Sequence, residues 1–123
     1  MQKQLERTRE DELQALAMDY LEAFEARDLE RCVAFYDDSA TVVFHVGRYE
    51  GKEAITTWHQ DRFGADLQLL SMDGTSALGD TVTIDATATS KRLKAWRIPS
   101  LAAKVEFTFD GDLITYAKFG LRV

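Results

Sequence analysis

Hydrophobic positions recur with a helical period near the start of the chain. Leu13, Leu16, Ala17, Tyr20, Leu21 and Phe24 form one stripe, while Glu10, Asp11, Glu12, Asp19, Glu22 and Glu25 occupy the remainder. This spacing predicts a long amphipathic helix with one buried face. The pattern breaks at "ARD", where Asp28 is placed to cap a second, shorter helical stripe of Leu29, Cys32, Val33 and Tyr36. "SATVVFHV", residues 39–46, is rich in β-branched residues and follows an Asp-Asp pair, which predicts a strand entered through a turn. A third helix is predicted over Lys52–Phe63, where Ile55, Trp58, His59 and Phe63 share helical spacing and Gly64 offers a C-terminal cap.

From Asp66 onward the period changes to that of strands. "DLQLLSMDG", "DTVTIDATATS", "LAAKVEFTF" and "DLITYAKFGLRV" each read as a strand, joined by "GTSALGD", "KRLKAWRIPS" and "DGD". The Asp110-Gly111 pair is a strong hairpin signal. Val82, Ile84, Ala86 and Ala88 form one face of their strand, leaving Asp85 on the other with threonines, either solvated or at a dimer face. Val105, Phe107, Ala117 and Phe119 alternate with Lys104, Glu106, Tyr116 and Lys118, as in a sheet with one apolar and one polar face. Helices first and strands afterwards predict an α+β fold, with a mostly antiparallel sheet packed on three N-terminal helices. No internal repeat or linker divides residues 1–123, so a single domain is expected.

Composition narrows the classes of function. With 15 Lys and Arg against 21 Asp and Glu, the formal charge is -6, which argues against nucleic-acid binding because phosphate contacts need clustered cations. The one basic run is Lys91, Arg92, Lys94 and Arg97. No apolar stretch approaches membrane-spanning length, and "MQKQLERTREDELQ" has no apolar signal core, so no membrane partner and a cytoplasmic location are expected. Cys32 is the single cysteine, which excludes an internal disulfide and predicts a buried structural thiol. Two histidines without a third ligand at a recognisable spacing do not make a metal site, so neither a metal nor a cofactor is expected.

The order of elements, together with "DLERCVAFYDDSATV" running from a helix into the first strand and "GKEAI" opening the third helix, resembles the nuclear transport factor 2-like superfamily. The similarity is greatest to its SnoaL-like and ketosteroid isomerase-like branch and covers nearly the whole chain. The resemblance implies a cone-shaped curved sheet wrapped around the helices, an apolar pocket inside, and a homodimer across the outer sheet face. In the isomerase pattern Tyr20 matches the tyrosine that donates to a substrate oxyanion, and Tyr36 and His59 match positions that hydrogen-bond with it. The second oxyanion donor of that pattern, a protonated aspartic acid in an apolar site, aligns with Val105. The general-base carboxylate aligns with Val43, Phe44 or His45. Neither position holds an acid here, so the isomerase mechanism does not carry over.

Each candidate residue also has a structural reading. Tyr20 lies on the buried stripe of its helix, and a buried tyrosine hydroxyl normally finds a partner. His59 accepts through one ring nitrogen and donates through the other, which suits a network in a pocket wall. Strand parity decides His45. If Val42, Phe44 and Val46 face the helices, it points away with Thr41 and Val43; if the alternate face lines the cone, it is the base on that strand. Trp96 in the basic connection either caps a pocket mouth, where Lys94 and Arg97 steer an anionic ligand, or forms a solvated tip.

The expected binding set is therefore Tyr20, Phe24, Tyr36, Phe44, His45, Trp58, His59, Phe63, Trp96, Val105 and Phe119, with Tyr20, His45 and His59 as the catalytic candidates. Three functions fit it. The first is a pocket protein for a small apolar, oxygenated ligand. The second is a cofactor-free isomerase, cyclase or dehydratase moving a proton beside a polarised carbonyl. The third is a dimeric interaction module with no catalytic role.

Overall fold

Thr8 begins the first helix by accepting a hydrogen bond from the Asp11 backbone N–H, and three acidic residues in the first turn complement the helix dipole. The computed structural model of the chain describes residues 8–44 and 47–121. Helix α1 (Arg9–Glu25) buries Leu13, Ala17, Tyr20, Leu21, Ala23 and Phe24, in agreement with the stripe. Asp28 caps α2 (Leu29–Ala34) by accepting from Arg31 N–H. Cys32 is buried in α2, and burial pushes its thiol up to about 12.

Tyr36 is not part of this helix, although its spacing suggested it. The carbonyl of Phe35 accepts from Ile114 N–H at 2.8 Å, and Tyr36 pairs with Ile114, so cross-strand bonding claims the residue for β1 (Tyr36–Phe44). The Asp37-Asp38 pair therefore lies within the strand. A short β2 (Gly47–Glu50), absent from the sequence reading, pairs antiparallel with β1. His45 and Val46 fall outside the described residues, and with them the direction of His45.

Helix α3 (Lys52–Gly64) buries Ile55, Trp58 and His59. Gly64 is its last residue and not its cap. Leu67 N–H bonds the Arg62 carbonyl and Asp66 N–H bonds the Phe63 carbonyl, a Schellman closure whose left-handed residue is Asp66 at φ 57°. Helix α1 closes in the same way on Arg27, φ 55°. The two left-handed residues form an ion pair with each other, so the ends of α1 and α3 are tied together.

The remaining strands are β3 (Gln68–Leu78), β4 (Thr81–Thr89), β5 (Leu101–Asp110) and β6 (Leu113–Leu121), with a short helix α4 (Lys91–Ala95) between β4 and β5. "GTSALGD" is mostly strand, because the β3–β4 pairing continues to Leu78 and Thr81 and leaves only Gly79 and Asp80 to turn. Shifts of register near Leu69 and Met72 bend β3. The sheet order is β2-β1-β6-β5-β4-β3, antiparallel except for the parallel β1–β6 pair, giving an open curved sheet in an α+β fold.

Helix α1 packs against β3 and β4, and α3 against β1 and β2. The inner sheet face contributes Val42, Val82, Ile84, Ala86, Val105, Phe107, Phe109, Ile114 and Ala117 to the core. The other face pairs Glu106 with Lys118 and Asp85 with Lys104 across strands. No helix among the described residues is long and apolar enough to cross a membrane. Phe107 is fully buried and packs edge-on against Tyr20, with centroids 5.3 Å apart, whereas Leu78 is 84% exposed. Urea denaturation is therefore expected to show a loss of about 3–5 kcal/mol for Phe107→Ala. The same measurement on Leu78→Ala should show a change within about 0.5 kcal/mol.

Candidate functional site

Two features stand out among the described residues: a chain of polar aromatics inside the core and a cavity beside it. The first joins β1, α1 and α3. The Tyr36 and Tyr20 hydroxyls are 2.9 Å apart, the Tyr20 hydroxyl is 2.6 Å from His59 Nε2, and His59 Nδ1 is 2.8 Å from the Ile55 carbonyl oxygen. The carbonyl only accepts, so Nδ1 carries the proton and Nε2 is left as acceptor. Tyr20 must then donate to Nε2, and its oxygen accepts from Tyr36. The direction of every bond follows from that one carbonyl.

All three side chains are fully buried. Burial raises the pKa of both tyrosines, and it lowers His59 from 6.5 to about 4 against the opposing effect of the Ile55 bond. At neutral pH the chain is uncharged throughout. The single proton of Tyr20 is committed to His59, so its hydroxyl has none left for a substrate oxygen.

The cavity has a volume of about 360 Å³, at the lower end of the usual range for small-molecule sites. It is enclosed by α3, α4, the end of β1 and the adjoining parts of β3 to β6. Of the residues singled out from the sequence, Phe44, Trp96, Val105 and Phe119 border it. Tyr20, Tyr36, His59, Phe24, Trp58 and Phe63 do not. Trp58 and Phe24 stand behind the wall, with centroids 4.8 and 6.4 Å from Phe119. His45 lies outside the described residues.

The sequence reading missed Arg62, Ser90, Leu93, Leu101 and Ala103, all of which border the cavity. Arg62 had a usable signal. It follows Trp58 by four positions and His59 by three, so it shares their helix face, but in sequence it reads as the solvated cation of a helix end. Its guanidinium carbon lies 4.6 Å from the centre of the Phe44 ring, and its Nε is buried without a hydrogen-bond partner. Ser90 Oγ accepts from Leu93 N–H at 3.4 Å. The described lining contains no carboxylate and no imidazole, and no group of three metal-ligating side chains occurs among the described residues.

A family model described as a SnoaL-like domain matches residues 17–117. Among solved structures, the fold is similar to that of a candidate ketosteroid isomerase from Kribbella flavida DSM 17836, with a TM-score of 0.78, 17% identity, and coverage of 94% of this chain and 82% of that one. It is also similar to SalBIII, an epoxide hydrolase/cyclase-like enzyme with a role in pyran ring formation in polyether salinomycin, at a TM-score of 0.78, 15% identity, and coverage of 91% and 92%. An NTF2-like protein of unknown function from Cytophaga hutchinsonii ATCC 33406 matches at a TM-score of 0.72 and 13% identity, with 89% of each chain covered. No curated protein matches the sequence. At these identities the structural matches bear on the fold alone.

The polar chain has consequences for stability. Tyr20→Phe leaves both His59 Nε2 and the Tyr36 hydroxyl without a partner and is expected to cost roughly 2–5 kcal/mol in urea denaturation. Tyr36→Phe removes one bond and leaves no donor stranded, so about 1 kcal/mol is expected. The buried His59, held at about 4 against an ordinary 6.5, binds its proton more readily in the unfolded chain. Stability is fully present above pH 6.5 and falls as pH drops toward 4. The stability difference between wild type and His59→Gln should therefore shrink by about 3 kcal/mol over that window.

Proposed function

The chain belongs to the SnoaL-like domain family, and on that premise we propose that it binds a small, mainly apolar, oxygenated molecule in the cavity between α3, α4 and the sheet. The observation that carries this reading is the cavity itself. Its walls are aliphatic and aromatic apart from Arg62 and Ser90, the combination of apolar surface with a few orienting polar groups that suits small-molecule recognition. Trp96, 66% exposed yet bordering the cavity, stands where a ligand would enter.

A proton-transfer enzyme needs a base and an oxyanion donor converging on one substrate atom. Arg62 and Ser90 are able to donate, but no described lining residue is able to take a proton. Tyr20 and His59, the pair that resembles isomerase machinery, are occupied with each other outside the cavity lining. Binding is therefore the better-supported function, and the cyclase-like and isomerase-like relatives contribute a scaffold to this argument.

Isothermal titration with 1-tetralone, 2-naphthol and 2-naphthoate tests the reading. At least one of these is expected to bind the wild type. Ala103→Trp, which fills the cavity from β5, should abolish that binding while thermal unfolding stays cooperative. Proton NMR in deuterated buffer should show no exchange at the tetralone α-carbon above the buffer rate. Binding that survives Ala103→Trp places the ligand elsewhere, and accelerated exchange restores the enzymatic reading.

A further inference from the structure

Resting on the reading that this cavity is a binding site, we propose that its ligand is an ionised carboxylic acid, with the apolar body against Val105, Leu101 and Phe119 and the carboxylate on the Arg62 guanidinium. A buried N–H without an acceptor is rare in folded proteins, and one belonging to a cation is the costlier kind. Arg62 Nε is in that position, and no carboxylate among the described residues forms an ion pair with Arg62. Its last-turn placement suits the helix dipole, but that acts on the charge and does not satisfy Nε. Among the described residues its guanidinium carbon lies over the Phe44 ring, 4.6 Å from the centre. Attraction to a ring uses up no N–H, and the in-plane N–H groups of a guanidinium are the ones that donate bidentately to a carboxylate. A guanidinium held over an aromatic ring with its Nε unpaired is an arrangement suited to an anion.

A further observation, charge, points the same way. The chain carries -6 overall, yet the segment "KRLKAWR", which supplies Leu93 and Trp96 to the cavity, holds four cations and no acid. Lys91, Lys94 and Arg97 are exposed, and the backbone N–H of Lys91 donates to the Ala65 carbonyl, which ties this basic segment to the end of α3 that bears Arg62. A local positive field on an acidic protein favours entry of an anion at this mouth and disfavours a cation.

The test compares two probes of nearly equal shape, 2-naphthoate and 2-naphthamide, by isothermal titration at pH 7.5. The wild type is expected to bind the acid about tenfold or more tightly than the amide, the advantage of a charge-assisted pair over a neutral one. Arg62→Gln should bring the two affinities close together, with the larger loss on the acid, and Arg62→Lys should retain part of the preference. Equal binding of acid and amide by the wild type overturns the proposal and leaves the cavity as a binding site for neutral molecules. A preference undiminished in Arg62→Gln overturns the assignment to Arg62. Failure of both probes, and of every neutral compound in the preceding panel, removes the binding reading itself and this inference with it. If the glutamine variant does not fold, the wild-type comparison decides the ligand class and Arg62→Lys decides the assignment, a preference equal to wild type in the lysine variant overturning it.

Discussion

The hydrogen-bond chain from Tyr36 through Tyr20 and His59 to the Ile55 carbonyl is the constraint on which the arrangement of elements turns. It joins the first strand, the first helix and the third helix through three side chains that water does not reach. Because a buried polar group without a partner is costly, these elements are held at the separations that let each donor meet its acceptor. Edge-on packing of Tyr20 against Tyr36, Phe107 and His59, with centroids 5.3–5.9 Å apart, fills the space around the chain. The ion pair between the left-handed residues Arg27 and Asp66 then fixes the far ends of α1 and α3.

With α3 held in this way, one part of its inner face is spent on the core and the next turn opens onto the cavity. Trp58 and His59 are sealed, and Arg62 reaches the lining. The polar groups of the two regions differ in kind. In the core each donor of the tyrosine-histidine chain has its acceptor within the protein. At the cavity, Arg62 Nε has none, and its guanidinium is supported from one side by Phe44. That difference is why the proposed function rests on the cavity and not on the tyrosine-histidine chain. The relatives of similar fold include enzyme-like proteins, but a shared scaffold transfers chemistry only when the reacting groups are present.

Much of this was legible along the chain. The stripe from Leu13 to Phe24, the cap at Asp28, the alternation in β4 to β6 and the turn at Gly111 are local patterns, and each element formed as its pattern implied. The misses were places where long-range pairing overrode the local signal. Tyr36 had helical spacing but was claimed by its ladder with β6, Gly64 had the composition of a cap but Asp66 took the left-handed turn, and "GTSALGD" looked like a loop but was paired almost to its end by β4. The meeting of Tyr20, Tyr36 and His59 followed from family resemblance. Spacing alone does not bring residues 16 and 39 positions apart into contact.

The sequence by itself determined the inventory and the faces: which side chains are apolar, at what period they recur, and hence the α+β class and the sidedness of each helix and strand. Only the tertiary structure decided which of the described polar groups find hydrogen-bond partners inside the protein and which do not. Periodicity places Tyr20 and His59 on buried-facing stripes and reads Arg62 as the cation of a helix end, but hydrogen-bond partners are supplied by neighbours distant in sequence. Those neighbours satisfy Tyr20 and His59 completely and leave Arg62 Nε facing no acceptor.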